Sequence, residues 1–148
     1  RIPTGELIRF MKAHNMPIDG LMTGRTRVLL VDGEREVVDT LQKILTEQTN
    51  YEVRIAQNGF SAGMEAERFK PHVLLLDLHL PDGDSRRVAD AVRTSSNLQM
   101  TRIVAMSGKL TDGQAHALRS QGFDDFLKKP FQVRQVVAAI EAATSIVH

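Results

Sequence analysis

The sequence predicts an α/β domain built on a parallel sheet, and three observations carry that prediction. Short apolar runs recur without polar interruption: Val28-Leu29-Leu30-Val31, Val73-Leu74-Leu75-Leu76 and Ile103-Val104-Ala105-Met106. Such runs suit strands covered on both faces, as parallel strands are. Stretches with helical periodicity separate them, the alternation expected of right-handed βα units. Finally, each run ends in or just before a polar residue able to do chemistry.

The elements follow in order. Residues 1–24 hold one short helical pattern, with Thr4 as its cap and Leu7, Phe10 and Met11 at three- and four-residue spacings. Pro17, Gly20 and Gly24 then break the chain, so residues 15–26 read as a linker. The domain proper is expected over 25–148. Its first strand is Val28–Val31, followed by a helix with the stripe Val37, Val38, Leu41, Ile44 and Leu45. Over Tyr51–Ala56, Val53 and Ile55 alternate with Glu52 and Arg54, which marks an edge strand. Asn58 and Asp84 are cap candidates for the next two helices, and Thr111 with Gln114 forms a candidate capping box. Gly122 is a C-terminal stop. A short fifth strand fits Asp125–Leu127, and Val133, Val136, Val137, Ile140 and Val147 stripe the last helix.

Composition bounds the function. The 148 residues are 42% hydrophobic and 25% charged, with a net charge of +1, so no strong field favours nucleic acid or a membrane surface. The absence of cysteine excludes disulfides, thiolate metal sites and cysteine nucleophiles, and fits a reducing cytoplasm. No apolar run approaches the roughly 18 residues needed to span a bilayer. The chain begins at Arg1 rather than Met, which suggests a longer parent protein.

In an open parallel sheet, ligands bind beyond the carboxyl ends of the strands. The residues there are Asp32, Asp77, Ser107 and Lys129. Each has an ordinary reading alone: Asp32 as a helix cap, Ser107-Gly108 as loop chemistry, Lys129 as a solvated surface side chain. Asp77 is harder to dismiss, because it follows four aliphatic residues and precedes the turn-rich Leu78-His79-Leu80-Pro81-Asp82-Gly83. Together they suit phosphoryl chemistry, with a carboxylate nucleophile and a cation, an amine and a hydroxyl to bind the charge. Magnesium is the usual cation for such oxygen donors. Two carboxylates about 4 Å apart repel by roughly 4 kcal/mol at an effective dielectric of about 20, and a cation between them removes that cost. The side chain of His79 reads as solvent-facing, and Phe126 reads as core.

From Arg27 to His148 the chain resembles response-regulator receiver domains. The matching segments are Val28–Asp32, Val73–Gly83, Ala105-Met106-Ser107-Gly108 and Asp125-Phe126-Leu127-Lys128-Lys129-Pro130-Phe131. The resemblance implies a flavodoxin-like, doubly wound five-stranded sheet in the order 2-1-3-4-5. It implies that Asp77 is the phosphoacceptor for a sensor histidine kinase or phosphotransfer protein, and that Ser107 and Lys129 bind the phosphoryl oxygens. Asp32, Asp77 and the backbone carbonyl of His79 would hold Mg2+. Phe126 would be the switch aromatic that moves with Ser107, and the bond before Pro130 would be cis. The output would be homodimerisation through the face of the fourth helix, fifth strand and fifth helix, or a change at an attached transcription-regulating domain. Where the family carries two acids in tandem after the first strand, this chain has Asp32-Gly33; Glu34, one residue on, is a candidate ligand through water.

Arg1-Ile2-Pro3 with Glu6-Leu7-Ile8-Arg9-Phe10-Met11 resembles the end of an excisionase-type (MerR-like) helix-turn-helix domain. By that resemblance, DNA would be contacted only through a domain preceding Arg1. Two rival readings differ in class. A degenerate receiver would act as a phosphorylation-independent interaction module, as Gly33 favours. An aspartyl-nucleophile phosphatase would need a second acid two residues after Asp77, where this chain has His79. A flavin site lacks both a phosphate loop and aromatic partners. The expected role is therefore regulatory rather than enzymatic.

Overall fold

A computed structural model describes residues 25–109 and 111–145. The helix and linker expected over 1–24, and Val147 of the last stripe, lie outside the described residues. Among the described residues, five strands alternate with five helices: β1 (Arg27–Val31), α1 (Arg35–Gln48), β2 (Glu52–Ala56), α2 (Gly59–Phe69), β3 (Val73–Asp77), α3 (Ser85–Thr94), β4 (Arg102–Ser107), α4 (Asp112–Ser120), β5 (Asp125–Lys128) and α5 (Val133–Ser145). A 3₁₀ turn, Ser96–Leu98, follows α3. The sheet is parallel with the order β2-β1-β3-β4-β5.

The apolar runs behave as their lack of alternation predicts. Successive side chains point to opposite faces of a strand, and both faces are covered. Leu29, Val31, Leu74, Leu76, Ile103 and Ala105 join the layer that includes Ala62, Ala66, Val88, Val92 and Leu118 of α2, α3 and α4. Val28, Leu30, Val73, Leu75, Val104 and Met106 join the other, with Val38, Leu41 and Leu45 of α1 and Val136 and Ile140 of α5. Strand β2, at the edge, is only part-buried over Val53 and Ile55, in keeping with its polar alternation.

Helix ends are fixed locally. The Asn58 side chain accepts from the Ser61 amide, and Thr111 and Gln114 form the reciprocal capping box. Asp84 occupies the N-cap position of α3, but its side chain caps nothing; it lies 3.8 Å from Arg87 instead. The carboxylate that does satisfy a helix-start amide in this corner is Asp82, which accepts from Gly59 N at 2.8 Å. Gly122, with φ of 97°, turns the chain after α4. The turn is held by Arg93, which donates to the carbonyls of Gly122 and Thr101 and to Asp124.

Because Leu75 is fully buried between β-strands and α5-side packing, Leu75→Ala should cost about 3 kcal/mol from lost transfer energy and the cavity left behind. Val53→Ala on the half-buried edge should cost distinctly less, as read from denaturant midpoints.

Candidate functional site

The parallel register brings the ends of β1, β3, β4 and β5 to one edge of the sheet. Asp32 follows β1, Asp77 ends β3, Ser107 ends β4 and Lys129 follows β5. They meet at a cleft of about 400 Å³ lined by Gly33, Glu34, Asp77, His79, Pro81, Gly108, Lys109 and Lys129. Asp32, Asp77 and Ser107 are all buried, with residue exposures of 0%, 4% and 3%.

Lys129 is the centre of the cluster. Its Nζ lies 2.6 Å from Asp32 Oδ2, 3.7 Å from Glu34 Oε1 and 3.8 Å from Asp77 Oδ2. Buried carboxylates need partners, because desolvation penalises the charged form. Here the ammonium supplies the balancing charge and backbone amides supply further bonds. Glu34 N donates to Asp32 Oδ1 and His79 N to Asp77 Oδ1, each closing a local turn. Asp32 thus organises its own loop; the N-cap position of α1 belongs to Glu34.

These surroundings set the titration of the pair. Burial pushes the Asp77 carboxyl above its usual range, and the charge of Asp32 adds to this; the His79 amide and Lys129 pull the other way without cancelling it. For Lys129, burial alone would lower the ammonium, but the hydrogen bond and charge of Asp32, then Asp77 and Glu34, raise it on balance.

Three contacts were not legible in the motifs. His79 is exposed, as its sequence context suggests, yet it is not purely solvent-facing: its Nε2 lies 3.3 Å from Ser107 Oγ. Pro81 leans over Gly33, so that a Cβ at Gly33 would stand 2.6 Å from Pro81 Cδ and 2.8 Å from Pro81 Cγ. Phe126, half-buried against the α2–α4 layer as a core residue, has the Arg119 guanidinium 5.1 Å from its ring centroid. Phe126 therefore sits outside the cleft, and the Lys129–Pro130 bond beside the cleft is cis. No sequence signal pairs Pro81 with Gly33 or His79 with Ser107, since each contact depends on how neighbouring loops lie.

Two predictions come from this geometry. Gly33→Ala should destabilise the domain by about 1–3 kcal/mol through overpacking. Adding Pro81→Ala should recover much of the loss, as checked by denaturant unfolding of both variants. For Asp77, a raised folded-state pKa means that the native state holds its proton to higher pH than the unfolded chain does. Stability therefore falls as pH rises from the ordinary 3.8 through the raised value. Asp77→Asn should be the more stable protein at pH 7, by a margin that narrows on acidification; thermal melts across pH 3 to 8 read it.

The fold agrees with comparisons to known proteins. The family model described as "Response regulator receiver domain" matches residues 28–141. The transcriptional regulatory protein TrcR of Mycobacterium tuberculosis is 32% identical over 136 residues, covering 92% of this chain and 49% of that protein. The alkaline phosphatase synthesis transcriptional regulatory protein PhoP of Bacillus subtilis is 33% identical over 116 residues, covering 78% of this chain and 47% of that protein. The chain thus spans about half the length of these curated relatives. Among solved structures, a two-component response regulator from Clostridium difficile superposes with a TM-score of 0.72 at 25% identity, covering 81% of this chain and 96% of that one. The receiver domain of the sensor histidine kinase PA1611 from Pseudomonas aeruginosa PAO1, with a magnesium ion in its active-site cleft, superposes with a TM-score of 0.70 at 23% identity, over 81% of this chain and 98% of that one. The chain belongs to the response regulator receiver domain family.

Proposed function

We propose that this domain is a phosphoryl-operated switch, with Asp77 as the acceptor. The observation that carries the reading is the convergence of Asp32, Asp77, Ser107 and Lys129 on one cleft, with Lys129 Nζ bridging the two carboxylates. An Asp77 carboxylate oxygen would attack the phosphorus of a phosphohistidine on a sensor kinase or phosphotransfer protein. The O–P bond forms as the P–N bond breaks, and the imidazole leaves with its electron pair. Lys129 then pairs with the phosphoryl oxygens and Ser107 donates its hydroxyl to one of them.

The donor chemistry fits Mg2+: Asp32 and Asp77 are hard, buried oxygen donors at one point, and such an ion commonly keeps several waters beside one or two carboxylates. Asp32, Asp77 and the His79 carbonyl would hold it, with Glu34 joining through water. When bound, it would neutralise charge on the transferring group. Among the described residues, no group of three or more His, Cys, Asp or Glu is arranged as a metal cluster. The position next to Asp32 is a glycine that Pro81 overlies, so binding should be weaker than in relatives with a second acid there.

The phosphoryl group adds about −1.5 to −2 charges. Ser107 would move toward it, Phe126 would turn inward away from Arg119, and the face made by α4, β5 and α5 would repack. That face would then alter a homodimer or an attached output domain. The kinship to transcriptional regulators supports a role in transcription control. No helix among the described residues is long and apolar enough to cross a membrane. A second reading, a phosphorylation-independent interaction module, is favoured by Gly33 and by the fact that Lys129 already balances the buried carboxylates.

Incubation with magnesium and acetyl phosphate, followed by intact mass measurement, separates the two. The switch requires one phosphoryl adduct that Asp77→Asn lacks. No adduct even at high magnesium would leave the interaction module.

A further inference from the structure

Ser107 is committed before any phosphoryl group arrives. Its hydroxyl oxygen accepts from the Lys109 amide at 3.1 Å and lies 3.3 Å from His79 Nε2. A serine hydroxyl has one proton and two lone pairs. If His79 Nε2 is unprotonated, it takes that single proton. If it carries hydrogen, His79 and Lys109 together fill both lone pairs of Oγ. When Nε2 is the acceptor, the only proton of the hydroxyl is committed to His79, and donating it to a phosphoryl oxygen on Asp77 requires that hydrogen bond to break. The geometry also brings the two residues together only through the fold. His79 lies two residues past the end of β3, Ser107 ends β4, and the strands are paired up to Asp77 and Met106. His79 also lines the cleft that the phosphoryl group would enter.

We infer that the His79 imidazole is a positioning residue that holds Ser107 in its unphosphorylated place, and that phosphorylation of Asp77 proceeds at the expense of this hydrogen bond. The inference deepens the phospho-switch reading and rests on it. His79 acts on the phosphoryl group through Ser107, so its effect should vanish when Ser107 has no hydroxyl. Because His79 is exposed and off the core, its replacement leaves the fold intact.

The test is a double-mutant cycle on the affinity for beryllofluoride, a phosphoryl mimic, in magnesium, followed by fluorine NMR. His79→Ala should bind it two- to tenfold more tightly, the span expected for one hydrogen bond's net worth. His79→Gln, whose terminal amide can reach the place of Nε2, should return toward the wild-type affinity. In a Ser107→Ala background, His79→Ala should add nothing. An unchanged or weaker affinity in His79→Ala overturns the inference. An equal gain with and without the Ser107 hydroxyl also overturns it, since the imidazole would then act as a simple cover. Both of those outcomes leave Asp77 phosphorylation standing. If the wild type and every variant take up neither beryllofluoride nor a phosphoryl group from acetyl phosphate, the phospho-switch reading falls and the inference falls with it.

Discussion

Two buried carboxylates at the ends of adjacent strands must be balanced by a positive charge, and in this domain Lys129 supplies it. Asp32 and Lys129 are 97 residues apart in the chain, yet their side chains meet at 2.6 Å. The pairing is made by the sheet, whose order sets β1 beside β3 and β3 beside β4, so that the strand ends share one rim. An unpaired carboxylate in such a place would carry the full desolvation penalty. The closing segment after β5 is thereby tied to the first loop of the domain, and the cleft inherits its shape from that tie.

The same charge balance shapes the chemistry. The Lys129 ammonium lies against both Asp32 and Asp77, although Asp77 still bears a cost for ionising in a buried site beside another acid. Relatives of this family with a second acid after β1 would have more negative charge to neutralise. Here that position is Gly33, and Pro81 rests where a side chain would begin. A side chain at position 33 would therefore require Pro81 to shift. Glu34 brings a third carboxylate to within 3.7 Å of Lys129 from a more exposed position.

Around this rim sit contacts that define the resting arrangement. His79 touches Ser107, and Arg119 covers Phe126. Neither contact is strong by itself: a hydrogen bond to an exposed imidazole is worth about 1 kcal/mol, and an exposed cation–π pair about as much. Contacts of this size suit a switch, because a charged group arriving at Asp77 can displace them. The staple of Arg93 on Gly122, Thr101 and Asp124 lies at the opposite end of the sheet and serves the scaffold.

The sequence alone determined the element order, the two covered faces of the central strands, the polar edge strand β2 and the convergence of Asp32, Asp77, Ser107 and Lys129. These follow from local rules: side-chain periodicity, capping chemistry and the placement of polar residues at strand ends. It misjudged Asp84, whose residue type suits a cap but whose carboxylate turns toward Arg87, while Asp82 reaches across to Gly59. Only the tertiary structure decided that Lys129 bridges both carboxylates, that Pro81 closes over Gly33 and that His79 reaches Ser107. Each of these depends on the relative placement of loops from different βα units. That placement is set by packing between layers, on which no short stretch of sequence carries a signal.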